Sequence, residues 1–252
     1  MVSKDENDYV SFNDGYVDRL IRLREIHQDL LPKYGPQWHK HSTNTIRVEA
    51  LARILYWNNL YQNIIDVPGV ICEFGVRYGS TLSILTNLRS ILEPFNHSRI
   101  IYGFDTFEGL KSTTSADGTL AKDGDFTVPE NFEVILSEIL TLLEADSPMS
   151  HVKKFELIKG DAINTVDDWL NDNPHAIISM CILDMDIYKP TKVVLEKIIP
   201  RLTKGSVIVF DELNFKDFPG ETIALQEVLG TNSVRLRRTP TQTHCAWCVW
   251  GE

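Results

Sequence analysis

Val70 to Thr81 reads VICEFGVRYGST, and this stretch decides the fold. Val70 to Phe74 is a short apolar strand, and Gly75 and Gly79 mark the turn that leaves it. Ser80 and Thr81 then open a helix running to about Leu92, with hydroxyl side chains where a helix start favours them. A strand that passes through a glycine turn straight into a helix is the first half of a βαβ unit.

Working outward, the same alternation repeats. Strands are expected at Arg99 to Phe104 (RIIYGF), Phe155 to Ile158, Ile177 to Leu183 (IISMCIL) and Ser206 to Phe210 (SVIVF). The wholly apolar fourth strand suits the buried centre of a parallel sheet. One helix is expected after about Asn131, ending near Ala145, and others over Thr165 to Leu170 and over Lys192 to Leu202. A long loop rich in Gly, Asp, Ser and Thr, from Lys111 to about Asn131, reads as a lid or substrate loop. The end of the chain differs: Val234 to Arg238 and Cys245 to Trp250 read as strands with no helix between them, an antiparallel hairpin. On the other side, residues up to about Asp66 read as helical. One stripe carries Leu20, Ile21, Leu23, Ile26, Leu30 and Leu31; a second carries Val48, Leu51, Ile54, Leu55, Leu60, Tyr61 and Ile64. The expected fold class is therefore α/β: a doubly wound, Rossmann-like sheet with a C-terminal antiparallel hairpin and an N-terminal helical cap. Residues 1–66 form the cap and 67–252 the core, within one domain. The cap exposes more apolar stripe than one domain edge needs, which implies a homo-oligomer.

Bulk properties remove several classes. The chain has 252 residues, 43% hydrophobic and 24% charged, enough for a large core. No apolar run is long enough to span a bilayer, and the polar start MVSKDENDY does not read as a signal peptide, so a cytoplasmic protein is expected. A net charge of −10 argues against a nucleic-acid partner. Of the four cysteines, Cys72 and Cys181 read as small core residues. Cys245 and Cys248 lie three apart on a strand and so face opposite sides, which argues against zinc.

In an open α/β sheet, ligands bind beyond the carboxyl ends of the strands. The turn from Glu73 through Gly75, Tyr78 and Gly79 to Ser80 and Thr81 has G-x-x-x-G spacing, unlike the G-x-G-x-x-G of dinucleotide sites. It lets a backbone approach a ligand closely and aims helix N–H groups at an anion such as a carboxylate. The second strand ends at Asp105, followed by Thr106 and Phe107. A carboxylate there can accept both ribose hydroxyls of an adenosyl group. The third ends at Gly160-Asp161-Ala162, where Asp161 can accept from an adenine amino group. Each Asp could equally be a helix cap; three such strand ends in this order point to S-adenosylmethionine. A terminal hairpin on such a sheet also matches class I methyltransferases, whereas nicotinamide-binding domains have an all-parallel sheet.

The fourth strand ends in Asp184-Met185-Asp186 and the fifth in Asp211-Glu212. Carboxylates crowded at adjacent strand ends repel one another. A hard dication such as Mg²⁺ would relieve this; pairing with Lys189, Lys192 or backbone caps is the alternative. Asp184 or Asp186 would then serve as the catalytic base toward an acceptor hydroxyl, with His39 and His41 in the cap as weaker alternatives.

These motifs together resemble the macrocin O-methyltransferase family of S-adenosylmethionine- and Mg²⁺-dependent sugar O-methyltransferases. The resemblance runs from about Val70 to Gly205 and beyond. It is carried by Glu73-Phe74-Gly75-Val76-Arg77-Tyr78-Gly79, Phe104-Asp105-Thr106-Phe107-Glu108-Gly109, Leu183-Asp184-Met185-Asp186-Ile187-Tyr188 and Val209-Phe210-Asp211-Glu212. It implies a metal held by Asp184, Asp211 and Glu212, which in turn would hold a sugar diol. The common family form of the last pair is Asp-Asp, where this chain has Asp211-Glu212. The implied substrate is a small sugar or glycoside of natural-product biosynthesis. Two other readings remain open: a glycosyltransferase using Asp184-Met185-Asp186 for a nucleotide-sugar metal, and a non-catalytic adenosyl-binding assembly protein.

Overall fold

The computed structural model describes residues 2–5, 8–11 and 15–252. Packing divides the chain into two compact units, Met1–Ile54 and Leu55–Glu252.

The first unit holds an antiparallel pair, β1 (Val2–Asp5) and β2 (Asp8–Ser11), which the helical reading of this region did not foresee. Helix α1 (Tyr16–Leu30) follows, then the short α2 (Trp38–His41) among 3-10 turns, and the first half of α3 (Val48–Gln62). His27 Nδ1 and Thr45 Oγ1 lie 2.6 Å apart, and the Tyr34 hydroxyl donates to Asn44 at 2.9 Å. No α1 residue is buried, and Leu20 and Ile21 of its stripe are exposed. The division falls earlier than Asp66 because Tyr56, Trp57, Leu60, Tyr61 and Ile64 pack in the core of the second unit.

That second unit is built on a seven-stranded sheet. In chain order it runs β3 (Val70–Phe74), α4 (Ser80–Leu92), β4 (Ile101–Asp105), α5 (Phe132–Ala145), β5 (Phe155–Lys159), α6 (Ala162–Asp172), β6 (Ile178–Leu183), α7 (Tyr188–Ile198), β7 (Leu202–Phe210), α8 (Gly220–Val228), β8 (Arg237–Thr239) and β9 (Gln242–Val249). The spatial order is β5-β4-β3-β6-β7-β9-β8. The first five of these pair in parallel, while β9 pairs antiparallel with both β7 and β8. Chain direction along the sheet reverses between β3 and β6, the switch point where a crevice opens.

Strand alternation sorts side chains onto two faces. Ile71, Met180, Ile182, Val207, Val209 and Cys245 pack under α3, α4 and α5. Cys72, Phe74, Cys181, Leu183, Ile208 and Cys248 pack under α6, α7 and α8. Cys245 and Cys248 thus lie on opposite faces as free, buried thiols. At the amino ends of the strands, buried Arg99 donates to Glu93, to the carbonyls of Ile64, Val67 and Gly69, and to the Ser179 hydroxyl. This network closes the end of the sheet away from the crevice.

Three local readings are corrected. α7 begins at Tyr188, not Lys192, because Thr191 returns a hydrogen bond to Ile187 O and the first turn closes early. β8 begins at Arg237, not Val234, because only Arg237 to Thr239 finds partners on β9. Helix α8, between β7 and the hairpin, was not foreseen: its first turn carries Gly220, a poor helix former, and its burial of Ala224 and Leu225 is tertiary.

Candidate active site

The crevice is lined by the loops that leave β3, β4, β6 and β7. Each places a non-glycine residue at positive φ close to its strand end, Arg77 at 50°, Phe107 at 56°, Asp186 at 61° and Asn214 at 58°, and the long loop after β4 adds Ser112, Phe126 and Asn131. Such backbone costs about 1–3 kcal/mol per residue and clusters at functional sites.

The glycine loop is held against two neighbours. Gly75 has φ 95°, and a Cβ there would sit 1.7 Å from the carbonyl oxygen of Asp184, so only glycine lets β3 and β6 end side by side. Gly79 has φ 72°, and a Cβ there would strike the Leu136 side chain at 2.3 Å. α4 starts at Ser80, as expected; Ser80 and Tyr78 are exposed, Thr81 is buried. Glu73 is buried within β3 at 1% exposure.

Asp105 is the latch of this loop. One carboxylate oxygen accepts from Val76 N at 2.6 Å and Arg77 N at 2.7 Å; the other accepts from Phe107 N at 2.6 Å. A carboxylate has about four acceptor positions, so little capacity remains for a ligand. The Thr106 hydroxyl shapes the next turn, donating to Gly109 O and accepting from Glu108 N. The Phe107 side chain lies in the core. Asp161 caps α6, accepting from Ile163 N at 3.0 Å, and Ala162 is buried behind it.

At the ends of β6 and β7 the expected acids do gather. Asp184 N donates to Phe74 O and Asp211 N to Leu183 O, so three strand ends are laddered together. The Glu212 carboxyl is pushed up to about 10, by burial first and then by Asp186, Glu221, Asp211 and Asp184. Its Oε2 is buried with no hydrogen-bond partner. Glu221, in the first turn of α8, is fully buried, and burial followed by Asp186, Asp184 and Asp211 drives its carboxyl well above the ordinary range. Sequence reasoning missed Glu221; an acid just after the Pro219-Gly220 helix start was the available signal. Of the two lysines the sequence offered for pairing, Lys192 pairs with Glu227 at 2.7 Å and Lys189 is exposed. Oxygen donors in this number, one of them buried and unsatisfied, suit a hard dication in charge and chemistry. Among the described residues, no three Asp, Glu, His or Cys side chains converge into a coordinating group.

The loop after Gly109 is strapped to the same region. Asp117, fully buried, accepts from Thr114 N at 2.6 Å, from the Thr114 hydroxyl at 2.9 Å, and from Tyr188 N at the start of α7. Sequence reasoning missed it inside a loop that looked featureless. A Cβ on Gly220 would lie 2.5 Å from both Asp117 Oδ1 and Tyr188 N, so glycine lets three segments meet. Rings line the outer edge. The Arg77 guanidinium lies 5.0 Å from the Phe126 ring, Phe126 leans on Phe218, Phe215 stacks on Phe218, and His244 lies 4.4 Å from Phe215. The Cys245 thiol donates to Asp211 at 3.1 Å. His39 and His41 are in the first unit, both exposed.

Comparison with known proteins settles the lineage. A family profile of macrocin-O-methyltransferases matches residues 41–232. The chain belongs to the macrocin-O-methyltransferase family. A crystal structure of CalS11, a calicheamicin methyltransferase, is 35% identical, with a TM-score of 0.91 and 99% of each chain covered. An apo structure of CalS11, described as a TDP-rhamnose 3'-O-methyltransferase of calicheamicin biosynthesis, is 35% identical with a TM-score of 0.85, covering 96% of this chain and 97% of that one. The O-methyltransferase NovP, at 16% identity, a TM-score of 0.57 and 79% coverage of both chains, shares the fold. Among curated proteins no significant match was found. This family member is an O-methyltransferase with the class I Rossmann-like fold, and the antiparallel β8-β9 pair is part of it. No helix is long and apolar enough to cross a membrane.

Proposed function

We propose that this O-methyltransferase uses S-adenosylmethionine and Mg²⁺ to methylate a hydroxyl of a deoxysugar, carried on a nucleotide or within a glycoside, in natural-product biosynthesis. The observation that carries the reading is the acid cluster at the ends of β6 and β7, beside the glycine loop at the switch point. The sugar class rests on the similarity to CalS11, a TDP-rhamnose 3'-O-methyltransferase, at 35% identity over nearly the whole chain.

When bound, S-adenosylmethionine supplies an electrophilic methyl group and Mg²⁺ acidifies and orients a hydroxyl. The chain's residues do the remaining work. The N-terminus of α4 offers free N–H groups to the methionine carboxylate, and Asp105 keeps the loop before it in shape. Asp184, Asp211 and Glu212 are the metal-holding residues in this reading. Asp184 or Asp186 takes the hydroxyl proton, and Asp186 sits half-buried on backbone with φ 61°. Asp161 and Ala162 border the adenine end.

Titration calorimetry with S-adenosylmethionine, followed by methyl transfer from labelled cofactor to a panel of TDP-deoxysugars and glycosides, tests the reading. Transfer that persists in excess chelator after metal stripping would refute the metal part; no transfer to any sugar would refute the substrate class. Self-association belongs to the same proposal, supported by exposed Leu20, Ile21, Val48, Leu51 and Ile54 on α1 and α3. Sedimentation velocity showing only monomer would refute it.

A further inference from the structure

We propose that Glu221 is the positioning residue of the metal site, a buried clamp that fixes the Asp184–Asp186 loop against the Asp211–Glu212 loop without itself touching ion or substrate. This inference rests on the metal reading above.

The geometry is specific. Glu221 Oε1 accepts from Met185 N and Asp186 N, both at 3.3 Å, and Oε2 accepts from Glu212 N at 3.2 Å. One carboxylate therefore holds the backbones of both acid-bearing loops, and fixes the spacing between the end of β6 and the end of β7. Its own position is fixed in turn. It lies in the first turn of α8, where a negative charge is favoured by the helix dipole. Gly220 before it lets α8 approach Tyr188 N and Asp117 at distances no side chain would allow.

The choice of residue argues for more than structure. Three backbone N–H groups can be satisfied by neutral acceptors. Here a fifth carboxylate is placed at 0% exposure beside four others. Burial first, then Asp186, Asp184 and Asp211, raises its carboxyl well above the ordinary range, a cost that a neutral acceptor would avoid. Both oxygens are occupied by the loops, so Glu221 acts through the residues it holds.

The test uses the full chain with Mn²⁺ as the probe, comparing Glu221→Gln and Glu221→Asp with the native protein. An amide can satisfy one loop but turns a donor toward the other; the shorter acid keeps the charge but cannot span both. Both variants should bind Mn²⁺ at least about tenfold more weakly by calorimetry. Both should show faster amide exchange confined to residues 183–186 and 211–213, with S-adenosylmethionine affinity unchanged. Native protein that binds no Mn²⁺ would overturn the metal reading, and the clamp's role with it. Native protein that binds while Glu221→Asp binds equally well would overturn the clamp alone, leaving charge as the only contribution. Exchange raised throughout the fold in both variants would mark Glu221 as merely structural and overturn the proposal too.

Discussion

Replacing Asp105 with Asn should cost both stability and cofactor affinity, and the two losses have one origin. The carboxylate accepts three backbone N–H groups at 2.6–2.7 Å, two from the glycine loop after β3 and one from the turn after β4. An Asn side chain can turn its carbonyl to Val76 and Arg77, but its amide group then faces the Phe107 N–H. One charge-assisted bond is lost, a change of about 1.5–3 kcal/mol. For a chain of this size that is roughly 3–12 °C in melting temperature. Asp105→Ala loses all three bonds, with water replacing part of them at this half-buried position, and should cost about 3–5 kcal/mol. The loop that Asp105 latches leads into the helix start proposed to hold the cofactor. S-adenosylmethionine should therefore bind roughly tenfold more weakly to the Asn variant, in step with about 1.4 kcal/mol. Differential scanning fluorimetry and calorimetry on the same preparations read both numbers. If Asp105→Asn melts within about 1 °C of the native protein and binds the cofactor equally well, the latch is dispensable and the argument fails.

Further outcomes follow from the acid cluster and its strap. Glu212 has a folded pKa near 10 against an ordinary 4.5, so the folded state binds the extra proton and metal-free stability should fall as pH rises through that window. Urea denaturation in chelator at about pH 6 and about pH 9 measures this; Glu212→Gln should flatten the slope, and an unchanged slope would count against Glu212 as its source. Stripping metal should stop turnover while calorimetric binding of S-adenosylmethionine persists; loss of both together would place the two ligands in one coupled site. Asp117→Asn should loosen the 111–131 loop from α7, visible as faster proteolysis there and a stability loss of about 1–3 kcal/mol, since a buried charge-assisted set is broken. Gly75→Ala should destroy the site or the fold, because its Cβ would meet Asp184 O at 1.7 Å; a stable, active Gly75→Ala protein would show that β3 and β6 can separate there.

What the sequence made legible was whatever depends on neighbours along the chain. The strand at Val70–Phe74, the helix start at Ser80 and the α6 cap at Asp161 are local, set by apolar runs, glycine and capping chemistry. The opposite-facing cysteines follow from strand alternation alone. What it hid depends on partners far away in the chain. Asp117 reads as one acid in a polar loop, and only its reach to Tyr188 N, 71 residues on, gives it a task. Glu221 reads as an ordinary first-turn helix acid until its distances to Met185 and Glu212 are known. The division within α3 was hidden for a related reason. The apolar stripe of α3 is continuous, yet Leu51 and Ile54 are exposed while Tyr56 and Leu60 are fully buried, and no sequence period marks where one surface gives way to the other.

Asp105 shows how a residue singled out in sequence for a ligand also carries a task within the fold. Its position at the end of β4 suited a ribose acceptor, yet most of its capacity is turned inward onto backbone N–H groups. Asp161 behaves alike, capping α6, and Glu221 likewise holds loops. The acids of this crevice thus fall into two kinds. Asp105, Asp117, Asp161 and Glu221 accept from backbone and define where four loops lie. Asp184, Asp186, Asp211 and Glu212 stand at the ends of two adjacent strands, and repel one another there. A protein under selection for stability alone would thin out the second kind and relax the positive-φ residues beside them. Keeping both, at about 1–3 kcal/mol for each strained residue, fits the cation-holding role proposed above for the second kind. The first kind is what keeps the second in place until then.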